Sequence, residues 1–375
     1  MNDSPALDPI AGVEAVRAVF PLESPIMLGA MRIAAREFLC VRLTTEAGIQ
    51  GHAFALSRGL PSEAFIAEAL TPVLVGRDSD LIGERVADCM SVIPAPSHAG
   101  MVKRAVSLIE IALWDVKGRR LRTPLWRLLG GARAEVPVLL VGGYLTADTT
   151  PEEVGAKLGA LAVEGYSLFK VARAPTPDLT QRLLTAAREA LPESCGLVVD
   201  THWCWESSAA ALGEISQWGE LDLEWLEDPM PPGMWEPCKE LRDRSGLRVG
   251  VGDEVTDEQV LRRLVDTRSI DVLRSDATTI GGIGAWWKLS TYAHLSGMMV
   301  SPHAYPEVHI HCACAWPMAC AVEMFEVNSP YWPTGRFVSG GMEVADGKAR
   351  APEGPGLGVE IDWECIEGHD RTRER

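Results

Sequence analysis

From Val136 onward, short apolar runs alternate with segments of helical periodicity, at about 25 residues per unit. The segments 151–164 and 258–266 are two of the helices predicted between the runs. Strands that alternate with helices in this way are typical of a parallel α/β barrel. A doubly wound open sheet is the alternative, but no GxGxxG motif follows an early strand. The eight predicted strands are 136–141 (VPVLLV), 167–171 (SLFKV), 196–200 (GLVVD), 223–227 (LEWLE), 248–252 (RVGVG), 271–274 (DVLR), 298–302 (MMVSP) and 321–326 (AVEMFE).

The residues before the barrel have a different pattern, with strands predicted at 12–20 and 36–45 and helix at 100–129. A chain of 375 residues also exceeds what one compact core usually holds, which favours two domains. We therefore predict an α/β protein with a (β/α)7–8 TIM-type barrel and an N-terminal α+β capping domain. The predicted bounds are 1–132 for the capping domain, 133–340 for the barrel, and 341–375 for a segment that returns to the capping domain.

The composition restricts the partners that we expect. A formal net charge of −17 argues against nucleic acid, because phosphate binding needs basic patches. A small anionic substrate is still compatible with this charge, since a bound dication and a few local cations can reverse the field inside one pocket. There is no apolar stretch of the roughly 20 residues that a membrane helix needs, and the N-terminus does not resemble a signal peptide. Nine scattered cysteines without CxxC spacing indicate reduced thiols, so we expect a cytoplasmic protein.

Carboxylates stand where three consecutive predicted strands end. Asp200 ends LVVD, Glu227 ends LEWLE and Asp253 ends VGVGD, each about one strand-helix unit from the next. Like charges this close disfavour ionisation unless a cation joins them. Oxygen ligands without thiolate or imidazole favour Mg²⁺, with Mn²⁺ as the alternative. Glu254, beside Asp253, is the other candidate for the third ligand.

Four more polar residues lie at or near predicted strand ends. Asp276 and His303 end the sixth and seventh strands, and such a pair orients the imidazole and makes it more basic. Lys170 ends the second strand and is a candidate base or carboxylate clamp, with a lysine reaching to solvent as the alternative. Glu323, in the eighth strand, is a candidate hydrogen-bond donor to an enolate oxygen. Its alternative role is that of a buried acid paired to a barrel cation.

His309 and His311 resemble an HxH metal motif. They lie in the helix predicted after the seventh strand, where positions i and i+2 face different sides. We therefore interpret them as packing residues of the helix.

Together these motifs resemble the enolase superfamily, and within it the mandelate racemase subgroup. Asp276 and His303 match the Asp–His pair on strands six and seven that marks the subgroup. The resemblance covers almost the whole chain. Its other elements are the link from capping domain to barrel (109–131) and the motifs WLEDP (225–229), VGDEVTD (251–257) and SDATTIGGIG (275–284).

The resemblance implies Mg²⁺ bound to a substrate carboxylate, abstraction of the α-proton, and a carbanion stabilised as an ene-diolate. It implies that mobile loops of the capping domain choose the substrate, with 20–31 and 53–61 as the candidate segments. Glu323 would have to be protonated to donate a hydrogen bond to the ene-diolate. Members of the subgroup are commonly oligomeric, so we expect a homo-oligomer.

The second strand departs from the subgroup pattern. The subgroup often carries a KxK motif whose second lysine is a base, whereas here Lys170 is followed by Ala172 at that position. The departure argues against racemisation by two opposed bases and leaves His303 as the main acid and base. Lys170 then steers the substrate carboxylate and the metal. Arg173 either binds a second carboxylate or hydroxyl of the substrate or points away from the barrel mouth.

The third strand departs as well, because DTHWCW (200–205) has His202 where the subgroup commonly has Asn. His202 is a candidate for contact with substrate hydroxyls or for a second proton carrier, with a structural hydrogen bond as the alternative. If His202 faces the side of the substrate α-carbon that is opposite His303, the argument against epimerisation weakens.

The resemblance thus implies a lyase, a Mg²⁺-dependent dehydratase that converts an aldonic or aldaric sugar acid into a 2-keto-3-deoxy acid. A sugar-acid lactone cycloisomerase and a racemase or epimerase are the alternatives, since they share the enolate step. A non-catalytic barrel with a structural or binding role is disfavoured by the complete set of site residues. The identity of the acid is left open by the sequence.

Overall fold

An antiparallel sheet begins the fold in the computed structural model, which describes residues 7–29, 31–146, 148–218 and 221–371. β1 (Ile10–Leu28) pairs with β2 (Met31–Thr45), and β2 pairs with β3 (Gln50–Leu56). Gly51 lets a helix approach this sheet closely, since a Cβ there would lie 2.1 Å from the carbonyl oxygen of Ala112. The helices of this domain are α1 (Ser62–Phe65), a π-helical turn (Ile66–Leu70), α2 (Thr71–Leu74), α3 (Ile82–Ser91), a 3₁₀ turn (Ala95–Ser97), α4 (Met101–Arg120) and α5 (Leu125–Leu128).

Eight parallel strands follow and close into a barrel. Neighbours in the chain pair with one another, the last strand pairs with the first, and a bridge from Val300 to Ala319 completes the ring. All eight lie where the sequence predicts strands, and the predicted fold is confirmed. They are β4 (Glu135–Gly143), β6 (Leu168–Ala172), β7 (Gly196–Asp200), β8 (Trp225–Glu227), β9 (Val249–Val251), β10 (Val272–Leu273), β11 (Met299–Val300) and β12 (Val322–Phe325), while β5 (Leu145–Thr146) joins the capping sheet beside β1.

Four of the helices between the barrel strands begin at side chains that cap them. Thr150 and Glu153 form a capping box, and the side chains of Thr176, Ser207 and Asp257 each accept a hydrogen bond from the first turn of their helix. These caps define where each strand-to-helix loop ends. The helices are α6 (Pro151–Val163), α7 (Pro177–Ala190), α8 (Ser208–Ile215), α9 (Trp235–Ser245), α10 (Glu258–Asp266), α11 (Ile283–Leu295) and α12 (Pro306–Ala315).

The barrel interior changes from apolar to charged along the strands. Its lower part is a buried cluster that includes Val198, Trp225 and Val272. Two residues further along the chain, on the same face, come Asp200, Glu227 and Arg274. The alternation of side chains therefore places charged groups directly above an apolar floor.

The C-terminal segment contacts both domains. A hairpin of β14 (Glu343–Ala345) and β15 (Lys348–Arg350) pairs with the start of β4. The segment then lies against the capping domain, where the backbone N–H of Val19 donates to the carbonyl of His369 (2.9 Å). Its other elements are a 3₁₀ turn (Pro333–Arg336), the pair β13 (Val338–Gly340) and β16 (Val359–Ile361), and α13 (Trp363–Gly368).

Two predictions for the capping domain need correction. Most of 20–31, predicted as a mobile loop, is strand, because β1 continues to Leu28 with an irregularity between Pro21 and Ile26; residue 30 lies outside the described residues. In 53–61, the first residues belong to β3, which was not predicted. β3 lacks the alternating pattern because nearly all its residues are buried.

No helix within the described ranges is long and apolar enough to cross a membrane.

Candidate active site

Three carboxylates from adjacent strands meet at the carboxyl end of the barrel. Asp200 and Glu227 are the last residues of β7 and β8, and Asp253 follows β9 by two residues. One oxygen from each lies within 4.8 Å of the others, and all three residues are buried. The carboxylates that the sequence predicts as metal ligands are therefore brought together and could hold an ion.

Glu254 lies outside this triad. Its carboxylate contacts Arg58 Nη2 (2.9 Å) and the guanidinium of Arg104. Burial favours its neutral form, but Arg104 and Arg58 outweigh burial and hold the pKa of Glu254 well below its usual range. The geometry thus groups Asp253, and not Glu254, with Asp200 and Glu227.

Lys170 extends from β6 into the same cluster. Its Nζ lies 3.1 Å from Asp200 Oδ2, 3.5 Å from Asp253 Oδ2 and in contact with Glu227. Burial favours the neutral amine, but these carboxylates raise the pKa of Lys170. Lys170 is therefore a buried ammonium, as a carboxylate clamp requires, and is not a lysine that reaches solvent. Binding of Mg²⁺ to the three carboxylates requires this ammonium to draw back from them, because cations repel at such distances.

Arg274, which the sequence analysis did not single out, supports the cluster from below. Its Nε lies 2.9 Å from Glu227 Oε2, and its Nη1 donates to the carbonyls of Ser301 (2.9 Å) and Pro302 (3.0 Å). It is fully buried. One signal in the sequence could have revealed it, since Arg274 lies two residues after Val272 and so faces the barrel interior.

Glu323 contacts two cations. It lies 3.3 Å from Lys170 Nζ and in contact with the guanidinium of Arg274. The geometry of Glu323 is thus that of its alternative role, a buried acid paired to barrel cations. Neighbouring cations favour a carboxylate over a carboxylic acid, so the arrangement does not favour the predicted role of hydrogen-bond donor.

The charges of this cluster fit a dication. Four carboxylates surround two cations, which leaves two negative charges without a partner when all the groups are ionised. The excess is visible at Asp253, where burial and the neighbouring Glu227 raise the pKa to about 6. Its Oδ1 is also buried without a hydrogen-bond partner among the described residues. An oxygen-only ligand set with this charge suits Mg²⁺.

His303 and Asp276 form a pair beside the triad. His303 Nδ1 lies 3.2 Å from Asp276 Oδ2, and Asp276 Oδ1 accepts from the backbone (2.7 Å) and hydroxyl (2.8 Å) of Thr278. With Nδ1–H donated to Asp276, the other nitrogen, Nε2, is directed at the cluster, 3.5 Å from Asp253 Oδ2. Burial lowers the pKa of His303, but Asp253 and Asp276 outweigh burial and raise it. The geometry leaves Nε2 free to exchange a proton with a bound molecule.

His202 and Arg173 are placed differently. His202 lines the cavity of the site, its ring lies 4.3 Å from that of Trp203, and both residues have left-handed backbone conformations. Burial lowers the pKa of His202. Arg173 turns away from the mouth and binds Glu214 of α8 through two hydrogen bonds of 2.9 and 2.8 Å. This position matches the alternative in which Arg173 points away from the barrel mouth.

His309 and His311 are buried packing residues, as predicted. His309 Nε2 accepts from the N–H of Ala277 (3.0 Å), and His311 Nδ1 accepts from the N–H of Trp126 (3.1 Å). Each imidazole thus satisfies backbone groups that would otherwise be buried without partners.

The capping domain closes the cavity from above. Arg36 and Arg58 line it together with Leu28 and Leu56, so both segments expected to choose the substrate do face the site. The cavity has a volume of about 40 Å³. Arg36 lies outside both segments, and its place in the cavity depends on how the capping domain packs on the barrel.

This barrel, its capping domain and its acidic rim define a class of metal-dependent enzymes. The family model for the "Mandelate racemase / muconate lactonizing enzyme, N-terminal domain" matches residues 10–130, and the "Enolase C-terminal domain-like" model matches residues 153–365. The chain belongs to the enolase superfamily, in its mandelate racemase subgroup. The resemblance read from the sequence is confirmed.

Relatives of known function are enzymes of several kinds. The D-xylonate dehydratase of Haloferax volcanii is 28% identical and covers 88% of this chain and 85% of its own. The 3,6-anhydro-alpha-L-galactonate cycloisomerase of Streptomyces coelicolor is 25% identical, covering 88% and 90%. The L-talarate dehydratase of Polaromonas sp. JS666, solved with Mg and L-glucarate, is 25% identical, with a TM-score of 0.83 over 97% of this chain and 98% of its own. Relatives thus comprise sugar-acid dehydratases, cycloisomerases and racemases, and several of the similar solved structures contain Mg.

Proposed function

We propose that this protein is a Mg²⁺-dependent lyase that removes the proton α to a substrate carboxylate and then eliminates water. The substrate is a sugar acid, an aldonate or an aldarate, and the product is a 2-keto-3-deoxy acid. One observation carries the proposal. A single imidazole, His303, is held by Asp276 with Nε2 directed at the metal triad, while Ala172 stands where a second base would extend from β6.

The roles of the residues follow from their positions. Asp200, Glu227 and Asp253 would hold Mg²⁺, which supplies positive charge to the oxygens of the ene-diolate. Lys170 binds the same carboxylate of the substrate, because it remains an ammonium in this cluster. His303 Nε2 takes the α-proton, and Asp276 stabilises the imidazolium that forms.

The second half of the reaction uses the same imidazolium. It returns the proton to the β-hydroxyl on the same face, the carbon–oxygen bond breaks, and the electron pair of the former C–H bond becomes the double bond of an enol. Tautomerisation of the enol gives the 2-keto acid. One group positioned on one face is sufficient for this syn elimination.

An isomerase is the second candidate, and His202 favours it. His202 lines the same cavity as His303. If it exchanges protons with the opposite face of the α-carbon, the ene-diolate can be reprotonated there, which gives epimerisation. A cycloisomerase would instead let the ene-diolate formed from a lactone break the ring bond between the β-carbon and the lactone oxygen, which releases a carboxylate and an enol that tautomerises to the keto acid.

A panel of aldonates and aldarates, assayed for 2-keto acid with Mg²⁺, tests the proposal. We expect at least one member to yield 2-keto acid, with activity lost in EDTA and restored by Mg²⁺. No turnover of any member together with activity on sugar-acid lactones would contradict dehydration. Exchange of the α-proton in D₂O without any 2-keto acid would instead indicate racemisation.

A further inference from the structure

Arg36 is a buried cation of the capping domain that faces the active-site cavity. It lies in β2 with 5% of its surface exposed, and it lines the same cavity as Lys170, Asp200 and His303. It therefore meets the cavity from the side opposite the barrel floor.

No carboxylate within the described ranges forms an ion pair with Arg36. Its Nε donates to the carbonyl of Tyr331 (3.0 Å), its guanidinium lies 5.3 Å from the ring centre of Trp332, and Tyr144 lines the same cavity. Burial without an acid lowers its pKa. Retaining an unpaired guanidinium in such a place is costly unless a ligand compensates it.

The other cations at the site all have acidic partners. Arg58 and Arg104 bind Glu254, and Lys170 and Arg274 bind the metal triad and Glu323. Arg173, the candidate from the sequence, is occupied by Glu214. Arg36 is thus the cavity cation available to an anion of the substrate.

We propose that Arg36 binds the second carboxylate of a dicarboxylic sugar acid whose first carboxylate lies at the metal triad. This assignment rests on the proposed function and narrows its substrate from sugar acids in general to aldarates. A planar guanidinium matches a carboxylate with two parallel hydrogen bonds. An aldonate would present only a hydroxyl at this end and leave the buried charge uncompensated.

Tyr144 adds a polar group to the wall of the cavity. It lines the same cavity as Arg36, Lys170 and Asp200. Its phenol can therefore contact the hydroxylated middle of a linear acid.

Steady-state kinetics on matched acids, such as glucarate and gluconate, test the assignment. We expect the wild type to prefer the aldarate of each pair by at least about 30-fold in kcat/KM. Arg36→Gln should lower kcat/KM for the aldarate about 100-fold and for the aldonate less than about 3-fold, with Arg36→Lys between. Arg32→Gln, an exposed position on the same strand, is the matched control. A wild-type preference for aldonates, or equal losses on both acids, would overturn the assignment.

Binding measurements separate this assignment from the proposed function. Calorimetric titration of glucarate and gluconate in Mg²⁺ needs no turnover. Tighter binding of the diacid that Arg36→Gln removes would support Arg36 even if no acid is dehydrated. If Arg36→Gln does not fold, the wild-type comparison decides, because equal affinity for the two acids contradicts a second carboxylate site.

Discussion

At the scale of single residues, the surroundings of His303 are set by residues that follow other strands. Asp276 orients one ring nitrogen, and the metal triad lies in front of the other. The same holds for Lys170, whose ammonium is maintained by three carboxylates from three strands. Neither side chain has these properties in an isolated strand.

Replacement of His303 tests whether its imidazole is the base that takes the α-proton. We expect His303→Asn to slow exchange of the α-proton by about 10²–10⁴-fold, since it removes the proton acceptor while leaving the metal ligands in place. Proton NMR of the substrate in D₂O measures this exchange. His294→Asn, an exposed histidine, is the control. Undiminished exchange would transfer the role of base to Lys170 or His202.

The position of a residue was predictable from the sequence where that residue ends a strand. Asp200 and Glu227 could be recognised because a polar residue after an apolar run faces the barrel mouth. Arg274 was missed, although its spacing from Val272 places it inside. Arg173 was assigned two alternatives because its direction depends on the position of Glu214 in α8, which spacing does not report.

At the scale of elements, Asp115 of α4 connects the capping domain to the C-terminal segment. The carboxylate of Asp115 accepts hydrogen bonds from the N–H of His52 in β3 (2.9 Å) and of Leu357 in the C-terminal segment (2.8 Å), and it binds Arg119 (3.0 Å). This buried acid therefore joins a strand, a helix and the C-terminal segment.

Loss of this carboxylate should destabilise the fold. We expect Asp115→Ala to lower the free energy of unfolding by roughly 2–5 kcal/mol, because two buried N–H groups lose their acceptor. Denaturation in urea measures the change. Asp222→Ala, at an exposed position, should change it by less than about 0.5 kcal/mol. If Asp115→Ala lowered the free energy of unfolding as little as the control does, the contacts between these elements would not depend on the Asp115 carboxylate.

At the scale of the whole molecule, buried histidines couple stability to pH. His311 Nδ1 accepts from Trp126 and Nε2 donates to the carbonyl of Leu357 (3.0 Å), so the ring must be neutral. Burial lowers the pKa of His311 to about 4. Between about pH 4 and 6.5 the unfolded chain binds more protons, so this stabilisation is present at neutral pH and lost as the pH falls.

The comparison of His311→Gln with the wild type isolates this effect. Other groups act in the same range, and Glu110, whose pKa burial raises to about 7, acts in the opposite direction. We therefore expect the difference in unfolding free energy between wild type and His311→Gln to shrink by roughly 2–3 kcal/mol from pH 7.5 to 4.5. His294→Gln should show no such trend in urea denaturation at each pH. A difference that is constant with pH would contradict a neutral His311.

The barrel and the acidic triad were predictable from the chain alone, because strand and helix periods repeat within each unit and a parallel barrel places all strand ends at one rim. The long hairpin of β1 and β2 was predicted only in part. The residues at which each strand ends depend on its pairing with the other strand, which the local sequence pattern does not show. The grouping of Asp253, and not Glu254, with Asp200 and Glu227 was decided by the tertiary structure, and so were the partners of Glu323 and the position of Arg36. Those choices depend on which charges from distant segments meet, and only the packing of one domain on the other brings them together.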